Sequence, residues 1–130
     1  MFSHIMVGTN DIERSKAFYD AVLGVLGAPE DVRNTAASGH QRVFYRHNGV
    51  AFGISQPIND EPACIGNGST IGLKCDSAEQ LQKFHAVAVA QGGTPIEAPP
   101  GPRSQDPKAP HLAYVRDPDG NKLCAVYRPA

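Results

Sequence analysis

Tryptophan is missing from these 130 residues, methionine occurs twice and cysteine three times. Cys64, Cys75 and Cys124 are an odd number without paired spacing. A disulfide framework or zinc ribbon is therefore disfavoured, and a reduced, cytoplasmic thiol state is the simpler expectation. An excess of one charge is also missing: twelve basic residues against thirteen acidic ones leave −1. That balance gives no electrostatic reason to expect a nucleic-acid or anionic-membrane partner. No apolar run approaches membrane-spanning length, and no basic-then-apolar leader opens the chain, since Asn10, Asp11 and Glu13 arrive early. What is present, 41% apolar and 19% charged residues, suits one compact domain or two small modules sharing a core.

The chain repeats itself. Shifted by 66 positions, Ile5 falls on Ile71, Val7 on Leu73, Glu13 on Glu79 and Phe18 on Phe84. Each copy reads as a short alternating strand, a polar cap and an amphipathic helix. The first copy predicts a strand over His4–Thr9, a cap at Asn10 or Asp11, and a helix to about Leu23 stopped by Gly24. The second predicts a strand over Thr70–Cys75, a cap at Asp76 or Ser77, and a helix ending near Gln91 before Gly92-Gly93.

Each copy then closes with a hairpin. Gln41–Arg46 and Val50–Gln56 flank the tight-turn sequence His47-Asn48-Gly49. Leu112–Arg116 and Lys122–Tyr127 flank Asp117-Pro118-Asp119-Gly120-Asn121, where Pro presets φ and Gly accepts φ > 0. The modules are roughly 1–57 and 69–130, with 58–68 as the linker. Ala28–His40 and Pro95–Pro110 read as long irregular stretches. The second holds six of the eleven prolines and has room for a short strand near Thr94–Glu97.

The opening, from His4 through Asn10-Asp-Ile-Glu-Arg-Ser-Lys-Ala-Phe-Tyr19 to Leu23-Gly24, resembles the first module of the glyoxalase/bleomycin resistance/dioxygenase (vicinal oxygen chelate) superfamily. The ending, Val115-Arg-Asp-Pro-Asp-Gly-Asn-Lys-Leu123, resembles its last hairpin. The resemblance implies an α+β fold of two tandem βαβββ modules, a curved, cup-like mixed sheet with helices outside, and commonly a homodimer. It also implies that metal enzymes of the family carry their ligands at positions occupied here by His4, Gly53, Thr70 and Cys124. A catalytic divalent ion normally takes about three ligands from imidazole, carboxylate and thiolate. Only His4 and Cys124 could serve, so no cofactor is expected, a divalent metal with non-standard ligands being the alternative. The blander readings stand beside these: His4 as a hydrogen-bonded wall residue, and Cys124 as a small packed hydrophobe.

Strand alternation predicts what the cup presents. With His4 inward, Met6 shares its face, and Lys74 and Gly72 accompany Thr70. A two-residue turn puts Phe44 opposite Gly53 and Arg42 opposite Ser55, with Arg46 and Ala51 on the same face; Tyr114 pairs with Cys124, and Leu112 with Val126. Val43, Tyr45, Phe52 and Ile54 then point at the helices. An apolar wall with a few cationic groups suits a small organic ligand, favouring an anionic one. Gly53 and Gly72 are expected to leave the floor open. Arg42 and Arg46 have the simpler reading of solvated rim residues. The leading expectation is a metal-independent small-molecule binder, with His4 and Tyr114 as acid–base groups should it be catalytic. A metal-dependent isomerase or extradiol-type dioxygenase is the competing reading, and a purely structural dimer module without a pocket is a third.

Overall fold

The computed structural model describes the backbone of the whole chain and every side chain except those of residues 30–32. The described residues form two helices and nine strands: β1 (His4–Gly8), α1 (Ile12–Val25), β2 (Glu30–Thr35), β3 (Gln41–His47), β4 (Val50–Ser55), β5 (Ile71–Lys74), α2 (Ala78–Ala90), β6 (Thr94–Pro95), β7 (Gly101–Pro102), β8 (His111–Arg116) and β9 (Lys122–Tyr127). They make a mixed α+β fold in which the βαβββ order occurs twice, with β6 and β7 together taking the place that β2 holds in the first copy.

Both helices begin where a short polar side chain replaces the missing intrahelical acceptor. Asp11 accepts from Arg14 N at 3.1 Å and Ser77 from Gln80 N at 3.0 Å, the expected arrangement for an N-cap. Gly24 does not stop α1, which runs through it to Val25. The stop is Gly27, whose φ of 86° lies in the left-handed region. Gly27 N donates to Gly24 O and Ala28 N to Leu23 O at 3.1 and 3.0 Å, which satisfies carbonyls the helix leaves open. α2 ends in the same way, Gly93 N donating to Ala88 O at 2.8 Å.

The strands form a sheet of order β1-β4-β3-β2 and another of order β5-β9-β8-β6, with β7 also on β8. Asn48 and Gly49 both have positive φ, 50° and 83°, the two-residue turn whose twist suits a hairpin. It sets Phe44 opposite Gly53 and Arg42 opposite Ser55, as the sequence predicts, and Arg46 opposite Ala51 on that same face. Tyr114 faces Cys124 and Leu112 faces Val126 in the second hairpin, also as predicted. One expectation is corrected: Ala28–His40 is not irregular throughout, because β2 pairs with β3 as an edge strand. The strands lie in two mixed sheets, one per module; among the described residues no ladder joins β1 to β5, and each is the edge strand of its own sheet.

One core unites the two modules. Phe18, Tyr19 and Val22 of α1 and Leu81, Phe84 and Ala88 of α2 are fully buried with Val43, Ile54, Val115 and Leu123 from the sheets. The helices also pack on each other. Apolar burial of this kind provides the main driving force for the fold. The β8–β9 turn locks onto α1 through polar groups. Buried Asp117 accepts from Tyr19 OH at 2.5 Å, and Asn121 Nδ2 donates to Gly8 O at 3.3 Å.

Burial and the facing Asp117 carboxylate push the Tyr19 phenol well above its ordinary value. An unfolded chain releases that proton near pH 10, whereas the folded chain keeps it. The contribution is therefore whole below about pH 10 and is lost as pH rises further. Tyr19→Phe is expected to cost about 1–2 kcal/mol at neutral pH and to flatten the alkaline fall in stability. Urea unfolding of both proteins at neutral pH and above about pH 10 measures both effects.

Candidate functional site

Alternation gives each sheet one face on the helices and one open face. Val43, Tyr45, Phe52 and Ile54 take the helix side of the first sheet, each at most 7% exposed. His4, Met6, Arg42, Phe44, Arg46 and Gly53 share the other side. There Met6 Sδ would lie 2.3 Å, and Phe44 Cδ1 3.0 Å, from a Cβ added at Gly53. The space left by Gly53 is thus filled by Met6 and Phe44, and the open floor expected at this glycine is not there. Arg42 stands 5.5 Å from the Phe44 ring centre and donates to Asn34 Oδ1 at 2.8 Å. Arg46 is exposed at the end of its strand. His4 is exposed, with Nδ1 3.1 Å from Ser3 Oγ.

The second sheet carries a denser polar group. Tyr114 of β8 and Cys124 of β9 are opposite one another, and the Cys124 thiol donates to Ala125 O at 3.6 Å. Lys122, two residues before Cys124 and so on the same face, holds its ammonium 4.8 Å from the Tyr114 ring centre and pairs with Glu97 at 2.5 Å. The Arg103 guanidinium stands over the same ring at 5.9 Å. Thr70 is exposed just before β5. Gly72 meets nothing closer than Val126 Cγ2 at 3.9 Å, so the floor is open here as predicted.

Chemically this second face is a proton-holding, cationic surface. Burial pushes the Cys124 thiol up, so the thiolate a nucleophile needs is scarce at neutral pH. The adjoining Cys124 thiol pushes the Tyr114 phenol up as well, which keeps the phenol protonated and makes it a hydrogen-bond donor. Alternation places Lys122 on the same strand face as Cys124, whereas nothing in the sequence singles out Glu97 or Arg103. Nothing in the proline-rich stretch signals where its side chains return to the sheet.

A cavity of about 450 Å³ lies elsewhere, between the β1 and β5 edges on the helix side. Ile5, Leu23, Phe52, Ile71 and Leu73 line it, with Asp76 and Lys74 among its polar groups. Of the residues the sequence places on the cup face, Gly72 and Lys74 reach it. Its walls are mostly core side chains, and the chemistry-bearing groups Tyr114, Cys124 and His4 lie outside it.

The family-type ion is tested by the donors this chain supplies at its four positions: one imidazole, one hydroxyl, one buried thiol and no side chain at Gly53. No cluster of three or more His, Cys, Asp or Glu residues able to hold a metal ion occurs among the described residues. The residues present do not fit such an ion. Among the described residues no helix is long and apolar enough to cross a membrane.

A family model for the "Glyoxalase/Bleomycin resistance protein/Dioxygenase superfamily" matches residues 1–125. A glyoxalase/bleomycin resistance protein from Albidiferax ferrireducens T118 is 53% identical over 99% of both chains, with a TM-score of 0.87. A glyoxalase-related enzyme from Fulvimarina pelagi is 22% identical over 99% of this chain and 88% of its own, at TM-score 0.74. The fosfomycin resistance protein FosX from Listeria monocytogenes is 15% identical over 99% and 94%, at TM-score 0.70. The last two likenesses show the fold alone. No curated protein matches.

The three thiols are expected to separate by reactivity. Cys64 is exposed, whereas Cys124 is buried, as is Cys75, whose thiol burial pushes up to about 11. Under native conditions at neutral pH, Cys64 should react with Ellman's reagent first, the other two on the order of a hundredfold more slowly. All three should react at once in denaturant, and following the released chromophore measures both.

Proposed function

Because the chain belongs to the glyoxalase/bleomycin resistance protein/dioxygenase superfamily, we propose that it binds a small organic acid on the open face around Tyr114 and does so without a divalent ion. One observation carries this reading: the positions that hold ligands in the family's metal enzymes bear His4, Gly53, Thr70 and Cys124 here, and Met6 and Phe44 fill the space over Gly53. The family scaffold hosts several chemistries and also plain binding, so function follows from the site and not from the fold. At this site the phenol of Tyr114, the open floor at Gly72 and two cationic side chains converge on one sheet face. Such a combination orients a small anion and offers it a hydrogen bond.

The protein acts in this reading as a cytoplasmic homodimer. Two features support that part: the strand edges of β1 and β5 have no partner within the described residues, and free strand edges invite pairing with another chain. The three free thiols suit a reducing compartment.

Metal-stripped protein titrated with nickel, zinc, manganese and iron tests the reading through its melting temperature and its bound metal. The expected result is an unchanged melting temperature and far less than one ion per chain. Stoichiometric metal that disappears in His4→Ala would establish the metal-dependent alternative instead.

A further inference from the structure

The proline-rich segment between β6 and β8 does not lie apart from the sheet. β7, Gly101–Pro102, pairs with β8 at Leu112 and His111. Gln82 Nε2 of α2 donates to Pro100 O at 3.2 Å. Arg103 follows β7 directly, and its guanidinium ties the segment together. Nη1 donates to Pro99 O at 2.7 Å and Gly101 O at 3.3 Å, and Nη2 donates to Ala98 O at 3.3 Å. These bonds engage at most three of the five N–H groups of a guanidinium. The plane is thus held still by the segment it closes and stands over the Tyr114 ring with donors left over.

Glu97 sits at the other end of the same turn of chain. Its φ of 60° is left-handed, a conformation that side-chain-bearing residues rarely adopt. It places the carboxylate against Lys122, whose ammonium also faces the Tyr114 ring. Tyr114 therefore has two cations beside it. One is already neutralised by a carboxylate and the other is opposed only by neutral carbonyls.

We propose that Arg103 is the anion-recognition residue of this face. It receives an oxyanion group of the ligand (carboxylate or phosphonate) through its remaining N–H donors, above Tyr114, while Glu97 holds Lys122 back from competing for it. A rigid planar fork matches a two-oxygen anion, and its pre-ordering removes much of the entropy that a free side chain would lose on binding. The inference rests on the reading that the ligand lies on the open face around Tyr114, and it goes further by naming the group recognised and the residue that recognises it.

Benzoate and phenylphosphonate, with benzyl alcohol as the uncharged analogue, test it by nuclear magnetic resonance titration of isotope-labelled full-length protein. Both anions are expected to shift the signals of Tyr114, Cys124 and the Arg103 Nε–H, and to bind more tightly than the alcohol. Arg103→Met should weaken the anions roughly tenfold and leave the alcohol unchanged. Arg103→Lys, which keeps the charge and loses the fork, should fall between. Glu97→Gln, which leaves the Arg103 anchors in place, should tighten the anions about threefold or more by freeing Lys122. Anion affinity equal in wild type and Arg103→Met, with shifts still centred on Tyr114, overturns the role of Arg103 alone. Absence of shifts at Tyr114 and Cys124, or shifts confined to the cavity at Ile5 and Leu73, overturns the site reading and this inference with it.

Discussion

The buried carboxylate of Asp117 is the tie on which the arrangement of the two modules depends. It is 3% exposed, and a carboxylate removed from water to that degree is tolerable only when its oxygens are fully engaged. Here Oδ2 accepts from Tyr19 OH and Asn121 Nδ2, and Oδ1 accepts from the backbone N–H groups of Asp119 and Asn121. Three of those four donors belong to the β8–β9 turn and one to α1 of the other module. The turn so fixed delivers Asp119 to Asn10 N and Arg14, and Asn121 to Gly8 O. An apolar core alone would leave the relative placement of two similar modules loosely specified, since burial is non-directional. The directional bonds at Asp117 select one placement.

With the turn anchored, the β8–β9 ladder has a single register, and the open face above it follows. Tyr114 must stand opposite Cys124, and Lys122 must share their side of the sheet. The equivalent place in the first module has the same backbone and different contents. Met6 lies across from Gly53 as Gly72 lies across from Cys124, yet one pair is packed shut by a thioether and a phenyl ring while the other remains open beside a phenol. The two modules present equivalent faces, and at these paired positions the side chains close one and leave the other open.

Much of the framework was legible because its signals are local. The Asn48-Gly49 dipeptide and strict alternation on either side of it determine a hairpin register within ten or so residues of chain, and both predicted pairs across that turn occur. Ser77 and Asp11 act as caps because a short side chain reaches its own third residue. Where the outcome depended on distant groups, the sequence was ambiguous. Gly24 and Gly27 are equally plausible stops by composition. The choice fell to the one followed by a residue whose N–H closes back on Leu23. The edge strand β2 was missed because Glu30-Asp-Val-Arg-Asn-Thr35 has no alternating apolar signal of its own and is strand only by pairing with β3.

By itself, then, the sequence determined the repeat, the helix caps, the facing of both hairpins and the family, all of which are written in residue order at short range. Only the tertiary structure decided which faces are open, that Met6 occupies the space above Gly53, and that Arg103 and Glu97 come back to Tyr114 across a proline-rich segment with no period to read. The physical reason is one of range: backbone geometry is constrained by neighbours a few positions away, whereas the electrostatic surroundings of a side chain are set by whatever the fold packs beside it.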